Sequence, residues 1–210
     1  MMTKIHTRTP RTYGGVPVDS AQNALVCIHG RGGKAADLIR FAEGLGLSGV
    51  CLVAPEADDS VWYPRPFMES RDLNEPYFSA ARDSIDDTVS ELYEYGFTPK
   101  TIHFLGFSQG ACLSLDHCAR ATGKRWGGVF AFSGGLIGTD EEIGEHDGDL
   151  LGTPVFIGCS DVDPFIPKRR VERSAKIFEE MNARVELRIY PDMEHRINRD
   201  EAEYVKAFFS

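Results

Sequence analysis

The sequence predicts an α/β fold, a mainly parallel central sheet flanked by helices on both faces. Short apolar runs rich in β-branched and aromatic residues alternate with longer stretches of helical periodicity, the pattern of parallel strands joined by crossover helices. At 210 residues, 42% hydrophobic and 26% charged, the chain fits one domain with a substantial core. No linker, internal repeat or low-complexity stretch divides it. A single domain is expected over residues 1–210, with a less regular N-terminal segment over 1–20.

The strands are placed at "ALVCIHG" (24 to 30), "GVCLVAP" (49 to 55), "TIHFLGF" (101 to 107), "GGVFAFSG" (127 to 134), "TPVFIGCSD" (153 to 161) and "RVELRIYP" (184 to 191). After the second of these, "DSVWYPRPF" (59 to 67) is a loop broken by prolines. Phe78, Ala81, Ile85, Val89 and Leu92 then recur at three- and four-residue steps and define one apolar helix face. A further helix starts near Gln109. The glycine-rich, acidic "GTDEEIGEHDGD" (138 to 149) reads as a solvated loop. Val171, Ala175, Phe178 and Met181 mark another helix face. "NRDE" (198 to 201) has the form of an N-cap with a glutamate three residues on, opening a last helix with Tyr204, Val205 and Phe208 on its apolar side.

A formal charge of −9 and a pI near 5.2 repel phosphate backbones, and basic residues gather only in the short "KRR" at 168 to 170, so nucleic acid is excluded as a partner class. No run approaches the roughly 18 apolar residues of a membrane span, and the first residues lack a signal-peptide core, so a cytoplasmic protein is expected. Five cysteines sit mostly in apolar surroundings without CxxC spacing and are read as reduced core residues. The six histidines form no HExxH-like pair, so no metal is indicated.

The chemistry concentrates around "GFSQG" (106 to 110), where Ser108 follows an apolar strand and precedes a helix. Small residues on both sides permit a sharp turn that projects the hydroxyl above the carboxyl end of the sheet, where open α/β sheets bind ligands. The helix behind it aims unpaired N–H groups at the same point, favouring a developing negative charge. A serine hydroxyl needs a base, and that base needs an orienting acid. "SDVDPFIP" and "YPDMEHRIN" each follow a strand end; His195 is the expected base and Asp163 the expected acid, with Asp161 as its rival because spacing barely separates the two. The backbone N–H of Gln109 and that of Arg31 in "HGRGG" (29 to 33) are the expected oxyanion donors.

Each remaining candidate has a plainer reading beside it. His29 is expected to brace its loop by hydrogen bonding. His103 and His117 read as packed or surface residues, His6 and His146 as groups titrating in solvent. Trp62 and Tyr63 are read as walls of the substrate pocket, loop packing being the competing account. The Arg31 side chain either binds a substrate carboxylate or pairs with Asp58 or Asp59.

"HGRGG", "WYP", "GFSQGA", "FSGGL" (132 to 136), "DPFIP" and "YPDMEH", taken in order, resemble the phospholipase/carboxylesterase family of α/β-hydrolases over about Ala24 to the C-terminus. The resemblance implies the α/β-hydrolase fold without a large cap domain. It places the nucleophile on Ser108, the acid on Asp163, with Ile166 where the family has valine, and the base on His195. Asp192 stands where the family often has glycine, which leaves the backbone of that turn in question. The implied activity is hydrolysis of carboxylic esters of short to medium acyl chains through an acyl-enzyme, with no cofactor and a small-molecule ester or thioester as substrate. Related readings are an acyl thioesterase or lysophospholipase with the same triad and, outside enzymes, a silent ligand-binding protein on the hydrolase scaffold. The resemblance also admits a homodimer, though no sequence feature specifies an interface.

Overall fold

The computed structural model describes residues 5–6 and 10–210. Seven strands form one sheet in the order β1-β3-β2-β4-β5-β6-β7. They are β1 (Thr12–Gly15), β2 (Asn23–Ile28), β3 (Val50–Ala54), β4 (Ile102–Phe107), β5 (Gly128–Phe132), β6 (Pro154–Ser160) and β7 (Arg184–Tyr190). All pairs from β3 to β7 are parallel; β1 alone runs antiparallel, Thr12 opposite Ala54 and Gly15 opposite Cys51. The six strands expected from the sequence are all present, each within two residues of its placement.

Burial on both faces explains why the central strands read as unbroken apolar runs. In β2, Ala24, Val26 and Ile28 face one apolar layer, while Leu25 and Cys27 face the other. The first layer is completed by α2 (Tyr77–Glu94), α3 (Gln109–Arg120) and α5 (Lys168–Glu180), the second by α1 (Ala35–Gly44) and α6 (Arg199–Phe208). On α2 the five periodic positions Phe78, Ala81, Ile85, Val89 and Leu92 are all buried, worth about 1.5–3 kcal/mol for each large side chain. Val171, Ala175, Phe178 and Met181 are buried on and just beyond α5. All five cysteines are free and buried. Arg170 is also buried and bonded to Asp140, so "KRR" forms no continuous basic patch.

Three expectations are corrected. Within the segment expected to be irregular, residues 12–15 form an edge strand; "TYGG" hides it because glycine reads as a strand breaker. Gly14 is there for space, since a Cβ would lie 2.6 Å from Ile39 Cγ2 of α1. The remainder of that expectation falls partly on residues 1–4 and 7–9, outside the described residues. Second, the acidic 138–149 stretch contains a short helix, α4 (Asp140–Gly144), opened by a capping box between Thr139 and Glu142 and anchored by buried Ile143. Third, His146 is half-buried beside it, with Arg71 Nη2 3.1 Å from its Nε2, and burial lowers its pKa. Among the described residues no helix is long and apolar enough to cross a membrane.

The capping box at the start of α6 contains an unforeseen feature. Asn198 accepts from the Glu201 N–H at 2.9 Å, and Glu201 Oε2 accepts from the Asn198 N–H at 2.8 Å, as the sequence pattern predicts. Glu201 is nevertheless fully buried, its Oε1 has no partner among the described residues, and burial raises its carboxyl from 4.5 to about 7. A raised acid stabilises the fold fully below its unfolded pKa and loses that contribution as pH rises through the folded value. Glu201→Gln is therefore expected to melt near wild type at pH 4.5 and several degrees higher at pH 8, by up to about 3 kcal/mol, in thermal unfolding across that pH range.

Candidate active site

Strand β4 passes into α3 through Ser108, whose φ of 55° and ψ of −118° place it in a region that non-glycine residues rarely occupy. The two flanking glycines make this possible by removing side chains from a crowded crossing. A Cβ on Gly106 would collide with the Gly110 carbonyl, and one on Gly110 would collide with the Ile28 carbonyl of β2. The turn is fixed by the Ser108 N–H donating to Phe132 O at 3.0 Å. The Gln109 N–H at the start of α3 and the Arg31 N–H in the neighbouring turn donate to no acceptor among the described residues. Two open donors beside a projecting hydroxyl are what an oxyanion requires.

His29 braces the Arg31 turn, as expected. Ala57 N–H donates to its Nε2 at 3.1 Å, so Nδ1 carries the proton and donates to Gly30 O at 2.8 Å. Burial lowers its pKa and keeps the ring neutral. Trp62 corrects the sequence reading: it is fully buried, donates from Nε1 to His29 O at 2.9 Å, and lies behind the cleft wall instead of forming it. His6 is a second correction, because it is buried against Trp62, with Nε2 2.8 Å from Trp62 O and Nδ1 accepting from Asp58 N–H at 3.1 Å. Burial lowers its pKa. His103 and His117 are packed inside, against Phe209 and Trp126 respectively.

Tyr63 does line the cleft, and its carbonyl receives Arg31 Nη2 at 2.7 Å and Gln109 Nε2 at 2.8 Å. Gln109 Oε1 in turn accepts from Trp62 N–H at 3.2 Å. The side chain of Gln109 thus staples the 62–63 loop to the serine turn, a role the sequence reading missed. Neither reading of the Arg31 side chain against Asp58 or Asp59 describes its bonds; they go to the carbonyls of Tyr63 and Pro64.

His195 lies in the loop after β7 with Nδ1 2.7 Å from Asp163 Oδ2. Asp163 Oδ1 accepts from the N–H groups of Phe165 and Ile166 at 2.9 and 3.0 Å. Burial pushes the Asp163 carboxyl up, but these bonds outweigh it and hold its pKa below the ordinary value. The imidazole is sandwiched between Phe107 and Phe165, with ring centroids 4.9 and 5.0 Å away. Asp161 faces elsewhere: its Oδ1 accepts from Asp192 N–H at 2.9 Å, while its own N–H donates to Tyr190 O. Asp192 has φ 51°, so it adopts the left-handed backbone that glycine favours, and the turn keeps its shape.

Ser108, Gln109, His195, Arg31 and Tyr63 line one cleft of about 440 Å³, with Cys112 and Ile166 among its walls. Ser108 and His195 share it without a hydrogen bond between them, a separation common before substrate binds. Burial pushes the Cys112 thiol up to about 12, so it is no rival nucleophile near neutrality. Among the described residues no three His, Cys, Asp or Glu side chains gather as metal ligands.

With this geometry in place, comparison with known proteins is decisive on kinship. The profile of the phospholipase/carboxylesterase family matches residues 16–210. The chain belongs to the phospholipase/carboxylesterase family. The crystal structure of a phospholipase/carboxylesterase from Dyadobacter fermentans DSM 18053 is similar to it, with a TM-score of 0.90, 41% identity and 95% of each chain covered. The carboxylesterase of Bacillus cereus shares the fold, at a TM-score of 0.73 and 18% identity over 97% of this chain and 94% of that one. Acyl-protein thioesterase 1 of Saccharomyces cerevisiae is 32% identical over 137 residues, 62% of this chain and 58% of that protein. The match thus spans little more than half the length of that relative. In this family member the sheet and helices form the α/β-hydrolase fold, with no cap domain indicated.

The crossing of α3 over β2 sets a strict size limit at residue 110. Gly110→Ala is expected to cost at least about 3 kcal/mol, read as a lowered midpoint in urea unfolding, because the new methyl meets backbone that cannot yield.

Proposed function

We propose that this protein is a serine hydrolase cleaving carboxylic esters of short to medium acyl chains through an acyl-enzyme, with Ser108, His195 and Asp163 as its triad. The observation that carries the reading is the 2.7 Å bond between His195 Nδ1 and Asp163 in the cleft that holds the strained Ser108 turn. That bond places the proton on Nδ1 and leaves Nε2 free to take one from Ser108. The serine oxygen then attacks the acyl carbon, and the N–H groups of Arg31 and Gln109 hold the oxyanion. His195 returns the proton to the departing alcohol. Water, deprotonated by the same imidazole, attacks the acyl-serine; collapse of the second oxyanion releases the acid and restores the serine. No cofactor takes part. The low pKa of Asp163 keeps it ionised throughout, so it stabilises the imidazolium without accepting its proton.

A thioesterase reading with the same residues is favoured by the yeast relative named acyl-protein thioesterase 1. The cleft volume, near the lower end of ligand pockets, supports the shorter chains. A panel of esters and thioesters of rising acyl length separates the two: rates peaking at long acyl thioesters would replace the first reading with the second. Saturable binding without turnover across the panel would instead indicate a silent ligand-binding protein.

The triad has its own test. A fluorophosphonate probe is expected to label Ser108 on peptide mapping, and Ser108→Ala to lose both labelling and turnover. Asp163→Asn is expected to lower kcat by about 10⁴-fold, while Asp161→Asn, which keeps an acceptor for the Asp192 N–H, retains most activity. Full activity in Ser108→Ala would end this account.

A further inference from the structure

The chain carries 32 acidic residues against 23 Lys and Arg, yet the residues lining the cleft include two arginines, Arg31 and Arg65, and no Asp or Glu. The nearest carboxylate, Asp163, keeps its charge but does not line the cleft: its side chain is buried behind His195, whose Nδ1 it holds at 2.7 Å. Neither arginine has an acidic partner among the described residues. Arg31 bonds only carbonyl oxygens, through Nη2 to Tyr63 at 2.7 Å and Pro64 at 3.0 Å, which orients its guanidinium without neutralising it. Arg65 is anchored by its backbone N–H to Asn74 Oδ1 at 2.8 Å and bonds no described residue through a side-chain nitrogen.

Both residues also stand on backbone that is anchored close to the reacting centre. Arg31 contributes the proposed oxyanion N–H, so its side chain starts one residue's reach from the scissile carbonyl. Arg65 stands between Pro64 and Pro66 in a loop fixed to the serine turn through Tyr63 O and Gln109, and the prolines restrict its backbone. Beneath them the walls are apolar, with Phe67 and Ile166 on opposite segments. Unpaired positive charge at the mouth of an apolar cleft concentrates anions there, against the repulsion of a surface with net charge −9.

We propose that Arg31 and Arg65 form an anion-recognising rim, and that the preferred substrates are esters or thioesters bearing a negatively charged group near the scissile carbonyl. Arg31 and Arg65 are thereby specificity-determining residues. The inference rests on the hydrolase reading above and deepens it by naming the substrate class.

The experiment uses matched aryl esters of equal acyl length, pentanoate against hemiglutarate, to place the charge on the acyl side. Acetates of phenol, 4-hydroxybenzoate and 4-hydroxyphenyl phosphate place it on the leaving group and separate carboxylate from phosphate. Each kcat/KM is divided by the rate of hydroxide hydrolysis of the same ester. The anionic member is expected to be preferred in at least one set. Arg65→Met should reduce that preference about threefold and Arg65→Glu about tenfold or more, and raising NaCl should compress it in the wild type. Arg65 is the cleaner position because its side chain makes no structural bond; Arg31→Met should act in the same direction. Wild-type ratios at or below one in every set, or ratios unchanged in both Arg65 variants, would overturn the inference while Ser108-dependent turnover of neutral esters left the hydrolase reading standing. No turnover of any ester and no labelling of Ser108 would overturn both.

Discussion

The site depends on how closely α3 crosses the carboxyl ends of β2 and β4. With no side chain at Gly106 or Gly110, the first turn of the helix rests directly on the backbone at Ile28. This contact holds Ser108 at a φ of 55°. An unstrained serine would settle back toward ordinary dihedrals, costing roughly 1–3 kcal/mol less. The surrounding sheet supplies that difference, since buried β2 and β5 pin the turn from both sides through Ile28 and Phe132. Rigidity at this point precedes any chemistry assigned to the serine.

From that crossing the other parts of the site follow by short connections. Gln109 reaches back to Trp62 and Tyr63, Trp62 holds His29, and His29 shapes the turn that presents the Arg31 N–H. One set of neutral hydrogen bonds therefore sets both proposed oxyanion donors. The second half of the site comes from the β6–β7 pair, whose parallel register runs from Pro154 opposite Arg184 to Ser160 opposite Tyr190. Asp161 continues the pairing by bonding Tyr190 O and the Asp192 N–H, so the loops carrying Asp163 and His195 leave the sheet tied together. The carboxylate that looked like a competing acid in the sequence has a positioning role.

Much of this was legible in the residues because the sequence signals were local. Strands buried on both faces must be apolar throughout, and "FLGFSQGA" combines such a run with the glycines a sharp turn requires. The capping box at Asn198 is equally local. What escaped involved partners distant in sequence. Gly14 is explained only by Ile39, Trp62 by His29 and His6, and the choice between Asp161 and Asp163 by which of them meets residue 192 and which meets residue 195. Spacing gives no direction for a side chain leaving a loop. Aromatic character misled in the same way, because Trp62 and Tyr63 are neighbours in one loop, yet Tyr63 reaches the cleft and Trp62 the interior.

Glu201 shows how the loop carrying His195 couples to the core. Its Oε2 caps α6 immediately after the His195 loop, while its unpaired Oε1 lies where a Cβ on Gly158 would stand, so β6 gives up a side chain to admit a carboxylate. An uncharged residue would avoid the desolvation cost, but an aliphatic one would leave the Asn198 N–H without this acceptor. Loss of the cap frees the first turn of α6, and the chain between Tyr190 and Asn198 is then held chiefly by Asp161 and Asp163. Placement of the imidazole is therefore a property of the whole β6–β7–α6 corner, with the His195–Asp163 bond as its last contact.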